Sequence, residues 1–202
     1  MKKLYFDCET TGVDPVKNDI IQFSGIIEID NVEKEKFDIK MKPMSFDNVD
    51  IKALSVSGNT METIKEFDDP EKCYNEIVSL FDKHINKYDK SDKFVVCGYN
   101  VKFDIDFLTQ FFKKNGNDYL FSYFGVTKDP INIINYLIGM GKIRVDNYKL
   151  ETMCNYFGVK IENAHDAMED IKATKLLIDK IDELLNIIDL SNFEKKINPI
   201  PF

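Results

Sequence analysis

The chain has 202 residues, 44% hydrophobic and 31% charged, enough apolar material for one domain with a sizeable core and too much for wholesale disorder. Its 27 Lys and Arg against 35 Asp and Glu give a net charge of −8, which excludes a simple electrostatic module for a polyanion but not an enzyme whose positive charge arrives as bound metal. No apolar run reaches the roughly 18 residues of a membrane span, and an acid, Asp7, arrives before any signal-type segment develops, so no membrane contact and a cytoplasmic location are expected.

In chain order, apolar runs predict strands over 3–8, 18–30, 32–41, 94–97 and 124–127, with a tight turn at Asp30-Asn31. Helical periodicity appears over 71–88, 101–114, 131–140, 148–157 and 167–188, and Gly116 and Gly158 stand where helix ends need them. Strands come first and then alternate with helices, the order of an α/β fold with a mixed sheet. Residues 43–69 are the least regular and read as a surface excursion. The expected domain is 1–190, followed by a tail, 191–202, whose prolines cannot extend the last helix. Cys8, Cys73, Cys97 and Cys154 have no paired spacing and read as reduced core thiols.

The informative residues are acids where the pattern asks for apolar side chains. On the first strand Leu4, Phe6 and Cys8 share one face, while Tyr5, Asp7 and Glu9 share the other. Alone, Asp7 and Glu9 read as a solvated strand end. Asp104 is sharper: at about 100° per residue it falls within the apolar arc of the helix over 101–113, whereas Asp106 falls outside it. A buried carboxylate needs a partner, either a cation or the free N–H groups of the helix's first turn. On the last helix Asp170 lies within the apolar stripe. Asp166 and Glu169 form a capping pattern, and His165 stands just ahead of it. His84, on an apolar face with no acidic cluster beside it, reads as a satisfied core histidine. Four carboxylates on three elements cannot converge ionised without cations, and an all-oxygen set favours Mg²⁺ or Mn²⁺. A two-metal phosphodiester displacement is the natural chemistry of such a site.

These residues resemble a known family. Phe6-Asp7-Cys8-Glu9-Thr10-Thr11-Gly12, Gly98-Tyr99-Asn100-Val101-Lys102-Phe103-Asp104 and Ala164-His165-Asp166-Ala167-Met168-Glu169-Asp170 resemble, in order, the three motifs of the DEDDh 3′→5′ exonucleases of the RNase H-like superfamily. Within it they are most similar to the proofreading exonucleases of bacterial replicative DNA polymerases. The resemblance runs from about Lys3 to Leu185 and implies a five-stranded mixed sheet with helices on both faces. It implies that Asp7, Glu9 and Asp170 hold one of two Mg²⁺ or Mn²⁺ ions, that Asp7 bridges to the second, and that Asp104 supports the second. His165 is then the general base. The Thr10-Thr11-Gly12 backbone approaches the 3′-terminal nucleotide, and Phe103 packs on its sugar or base unless it is plain core. Asn100 either caps its helix or touches substrate. The implied activity is release of 5′-mononucleotides from a single-stranded or frayed 3′ end, with DNA the expected substrate. RNA trimming, a non-catalytic module binding 3′ ends or a polymerase, and an RNase H-type endonuclease are the rivals. The terminal Asn198-Pro199-Ile200-Pro201-Phe202 suits a hydrophobic pocket, on this protein's own surface or on a polymerase or sliding clamp.

Overall fold

Two residues with positive φ, Asp30 at 52° and Asn31 at 63°, make the tight turn that joins β2 (Ile20–Ile29) to β3 (Val32–Lys40). The computed structural model describes residues 1–160 and 167–186. The expected base His165, the capping acid Asp166 and the tail over 191–202 lie outside the described residues. β1 (Lys2–Thr10), β4 (Phe94–Cys97) and β5 (Phe124–Lys128) complete a five-stranded sheet in the order β3-β2-β1-β4-β5. β1 pairs antiparallel with β2 and parallel with β4, and β4 pairs parallel with β5. The expected mixed sheet is therefore the one observed.

The alternation along β1 sorts its side chains as expected. Leu4, Phe6 and Cys8 enter the main core with α3 (Pro70–His84) and α4 (Val101–Lys114). Tyr5 faces the other way, packing with Ile171 and Ile178 of α7 (Ala167–Asn186). α5 (Pro130–Gly139) and α6 (Leu150–Phe157) pack on α7 through Ile134, Met153, Cys154 and Leu177. Helices thus cover both faces of the sheet. Cys8, Cys73, Cys97 and Cys154 are all free and buried. Among the described residues no helix is long and apolar enough to cross a membrane.

Three expectations need correction. The excursion over 43–69 contains two short helices, α1 (Ile51–Val56) and α2 (Met61–Lys65), whose Leu54 and Ile64 bury against Ile21 of β2. Their length, about a turn and a half each, is too short for a helical period to show in sequence. α3 stops at His84, short of the expected 88, because Ile85 turns to extended backbone and buries itself. His84 is satisfied by tertiary contact, not by the core: its Nε2 lies 2.5 Å from Glu35 of β3.

Candidate active site

β4 pairs with β1 only as far as Tyr5. Beyond it, the chain leaves the sheet through Gly98 and enters α4, so the end of β1 meets a helix in place of a strand. Gly98 is required by this approach. A Cβ there would lie 2.6 Å from the Val101 side chain and 3.2 Å from the Phe6 carbonyl. The Cys8 N–H, lying where a strand partner would otherwise stand, is taken by Asp104, whose Oδ1 accepts it at 3.1 Å. This bond holds Asp104 at the residue that separates Asp7 from Glu9.

Asp104 is 4% exposed, whereas Asp106 is half-exposed and paired with Lys102 at 2.6 Å. The helical periodicity separates the two aspartates correctly. Burial, and then the charge of Asp7, push the Asp104 carboxyl well above its usual range, while the Cys8 N–H and its own N–H partly offset this. Of the two partners weighed for Asp104, backbone donors are present and satisfy it in part. Asp7, half-buried on the α7 side of β1, is pushed up to about 7 by burial, then by Glu9 and Asp170. Asp170 reaches it from the first turn of α7. Together with Tyr5, Gly98, Tyr99 and Thr174, these two aspartates line a recess of about 140 Å³. Glu9 and Asp170 thus raise the cost of ionising Asp7, and Asp7 and Glu9 raise that of Asp104.

Among the described residues no three His, Cys, Asp or Glu side chains are closed up as a ready ligand set. The donor chemistry nonetheless fits a hard divalent cation: the site is all oxygen, partly desolvated, and under a repulsion that positive charge relieves.

The Thr10–Gly12 segment is held from within. Thr10 Oγ1 donates to the Gly12 carbonyl at 2.7 Å, Thr11 Oγ1 accepts from Asp19 N at 2.9 Å, and the Thr11 N–H and carbonyl bond to Asp19 and Asp50. The space left by the missing Cβ of Gly12 is filled by the Asn18 amide, which would lie 2.4 Å from such an atom. The bareness of Gly12 therefore accommodates the Asn18 amide. Phe103 is half-buried with its ring 4.8 Å from that of Phe107, in keeping with a packing role. Asn100 is corrected too. It adopts left-handed backbone (φ 57°) and its side chain makes no cap. The cap comes from Asp129, which accepts Asn100 N at 3.1 Å, Val101 N at 2.9 Å and Ile131 N of α5 at 3.1 Å. The Asn100 side chain is left exposed on the wall of a second, larger cleft.

That cleft, about 820 Å³, opens beside Asp170 and runs over the start of α6. Of its walls, sequence reasoning singles out Tyr99, Asn100 and Asp170, and it misses the buried acids Asp19, Glu28 and Asp129. Glu28, an acid in an isoleucine run, is the one with a readable signal; it is 3% exposed and held by Lys3 and Lys175.

A helix-flanked, RNase H-like mixed sheet that gathers carboxylates at the end of its central strand defines a nuclease-type domain. Residues 4–178 match the exonuclease family model RNase_T, and the chain belongs to that family. It is 25% identical over 177 residues to the DNA polymerase III PolC-type of Halalkalibacterium halodurans, covering 86% of this chain and 11% of that one. With the protein of the same name from Caldanaerobacter subterraneus subsp. tengcongensis it shares 26% over 189 residues, covering 93% and 12%. The chain thus spans about a ninth of the length of these curated relatives. Among solved structures, E. coli Exonuclease I in complex with a dT13 oligonucleotide superposes with a TM-score of 0.73 at 23% identity, over 96% of this chain and 43% of that one. Exonuclease I from Methylocaldum szegediense gives 0.75 at 22%, over 95% and 42%. These likenesses bear on the fold.

Proposed function

We propose that this chain is a metal-dependent 3′→5′ exonuclease that removes 5′-mononucleotides from single-stranded or frayed DNA. The observation that supports the reading is the placement of Asp7, Glu9, Asp104 and Asp170 about the end of β1, where burial and then like charge push the Asp7 and Asp104 carboxyls up. Asp7, Glu9 and Asp170 are the residues to hold one Mg²⁺ or Mn²⁺, with Asp7 and Asp104 toward a second. When bound, such ions polarise a phosphodiester and make water a stronger acid at neutral pH. The chain's own residues do the rest. Asp104, fixed by the Cys8 N–H, keeps its carboxylate from swinging away. The recess walls of Tyr5, Gly98 and Tyr99 limit the water that reaches Asp7 and Asp170. His165, two residues ahead of Ala167 in sequence, accepts the proton of the attacking water. DNA is preferred because the curated relatives are named DNA polymerases.

The test is a 5′-labelled oligonucleotide, DNA and RNA in parallel, with Mg²⁺ and with chelator. A ladder shortening from the 3′ end of DNA, only with metal, is the expected result. Internal cuts, or shortening of RNA alone, would overturn the reading.

A further inference from the structure

The cleft beside Asp170 differs in character from the recess that holds the carboxylates. Its walls carry Tyr99, Tyr148, Ile131 and Leu150, with Lys149 at the rim. Tyr148 is 53% exposed, yet its backbone is fixed. Its carbonyl accepts from the Tyr99 hydroxyl at 2.7 Å. The neighbouring Asn147 carboxamide oxygen accepts the Lys149 N–H at 3.0 Å and the Thr152 hydroxyl at 2.7 Å. Tyr99 is in turn set by the turn that Asp129 clamps through Asn100 and Val101. An exposed aromatic ring on a pinned backbone, beside a lysine, combines a stacking surface with a counter-charge. Those are the two elements a single nucleic-acid strand needs from a groove.

The cleft is continuous with the carboxylates, since Asp170, Tyr99 and Leu150 line both spaces. It leads away from Thr10, Thr11 and Gly12, which do not line it. A scissile phosphate at the carboxylates has one nucleotide on each side. The cleft, which shares Asp170, Tyr99 and Leu150 with the recess, has the volume to hold one of them. We propose that this cleft seats the penultimate nucleotide of the strand, with Tyr148 as the platform for its base and Lys149 as the counter-charge for its 5′ phosphate. The proposal rests on the exonuclease reading above and names where that enzyme grips the strand upstream of the cut.

The test is a cycle between side chain and base. Initial release of the last nucleotide is measured on a single-stranded DNA oligonucleotide and on the same strand with an abasic penultimate residue. In wild type the abasic strand should raise KM roughly tenfold, the size of one lost base–aromatic stack. Tyr148→Ala should raise KM by a similar factor on the intact strand and show no further penalty on the abasic one. Tyr148→Phe should restore wild-type behaviour, because the ring and not the hydroxyl is used. Lys149→Ala should flatten the dependence of log affinity on log salt by about 0.7, and Lys149→Arg should restore it. An abasic strand cut with wild-type KM overturns the proposal without needing any variant. An abasic penalty that persists undiminished in Tyr148→Ala overturns it as well. A wild-type protein that shortens no strand at all refutes the exonuclease reading and the subsite with it, a result distinct from normal shortening without base dependence.

Discussion

Asp7→Asn should make the metal-free protein more stable at pH 8 while removing its activity. The Asp7 carboxyl stands at about 7 against an ordinary 3.8, and each pH unit corresponds to about 1.4 kcal/mol. The ionised carboxylate therefore costs the folded state about 4 kcal/mol, an upper figure because Glu9 and Asp170 can turn outward. The sign follows from proton binding. Between these two values the folded protein holds a proton that the unfolded chain has released, so raising the pH favours unfolding until the folded group has titrated. Asparagine never ionises and escapes the loss. For a domain of this size, about 2–4 °C per kcal/mol places the variant up to roughly 8–16 °C above wild type. The assay is thermal unfolding of both proteins in chelator at pH 5 and pH 8, then with Mn²⁺. Wild type should lose stability from pH 5 to pH 8 more steeply than the variant. It should also gain more from Mn²⁺, by about 2.7 kcal/mol at a hundredfold excess over Kd. An apo variant melting well below apo wild type at pH 8 would show that Asp7 is a structural acid and refute the repulsive-cluster argument.

Asp104→Asn should cut hydrolysis of a labelled strand on the order of 10²-fold or more. Asp106→Asn, which breaks only an exposed pair with Lys102, should stay within about twofold of wild type; equal damage would discredit the assignment by helical periodicity. His165→Ala should reduce turnover by about 10²–10⁴ and remove the acid limb of the pH–rate profile, to be read from single-turnover rates. Asp129→Ala frees the Asn100 and Val101 N–H groups and should lower stability by about 2 kcal/mol in urea unfolding, with unchanged stability counting against its clamp.

Whatever depends on local periodicity is legible in this sequence. The strand alternation places Asp7 with Tyr5 and away from Phe6, and the helical period separates Asp104 from Asp106, because in both cases the partner surface is the chain's own apolar face. What is not legible is the identity of a partner far along the chain. Cys8 N–H lies 96 positions from Asp104, and Asn100 N–H lies 29 from Asp129. An asparagine ahead of a helix looks like a cap in sequence, but the capping carboxylate comes from the loop before α5. Gly12 likewise suggests room for a ligand until Asn18 is seen to fill it. The convergence of acids was readable as a shortage of apolar residues at apolar positions. The cleft walls at Tyr99 and Tyr148 carry no such anomaly, since tyrosines at a helix start are unremarkable one at a time.

The packing of α7 on β1 has a consequence for the order in which the molecule is built. Tyr5 and Asp7 leave the ribosome well before Ile171 and Ile178, the side chains that cover Tyr5. Until then one face of the central strand has nothing to pack against, and Asp7 lacks the neighbour on α7 that gives it its character. The loop closure that joins them spans most of the chain, so it is expensive in entropy and comes late. A chain interrupted before α7 would hold Asp7, Glu9 and Asp104 in a largely formed sheet yet lack Asp170. Under the proposed function, such a half-made chain would lack one of its four carboxylates.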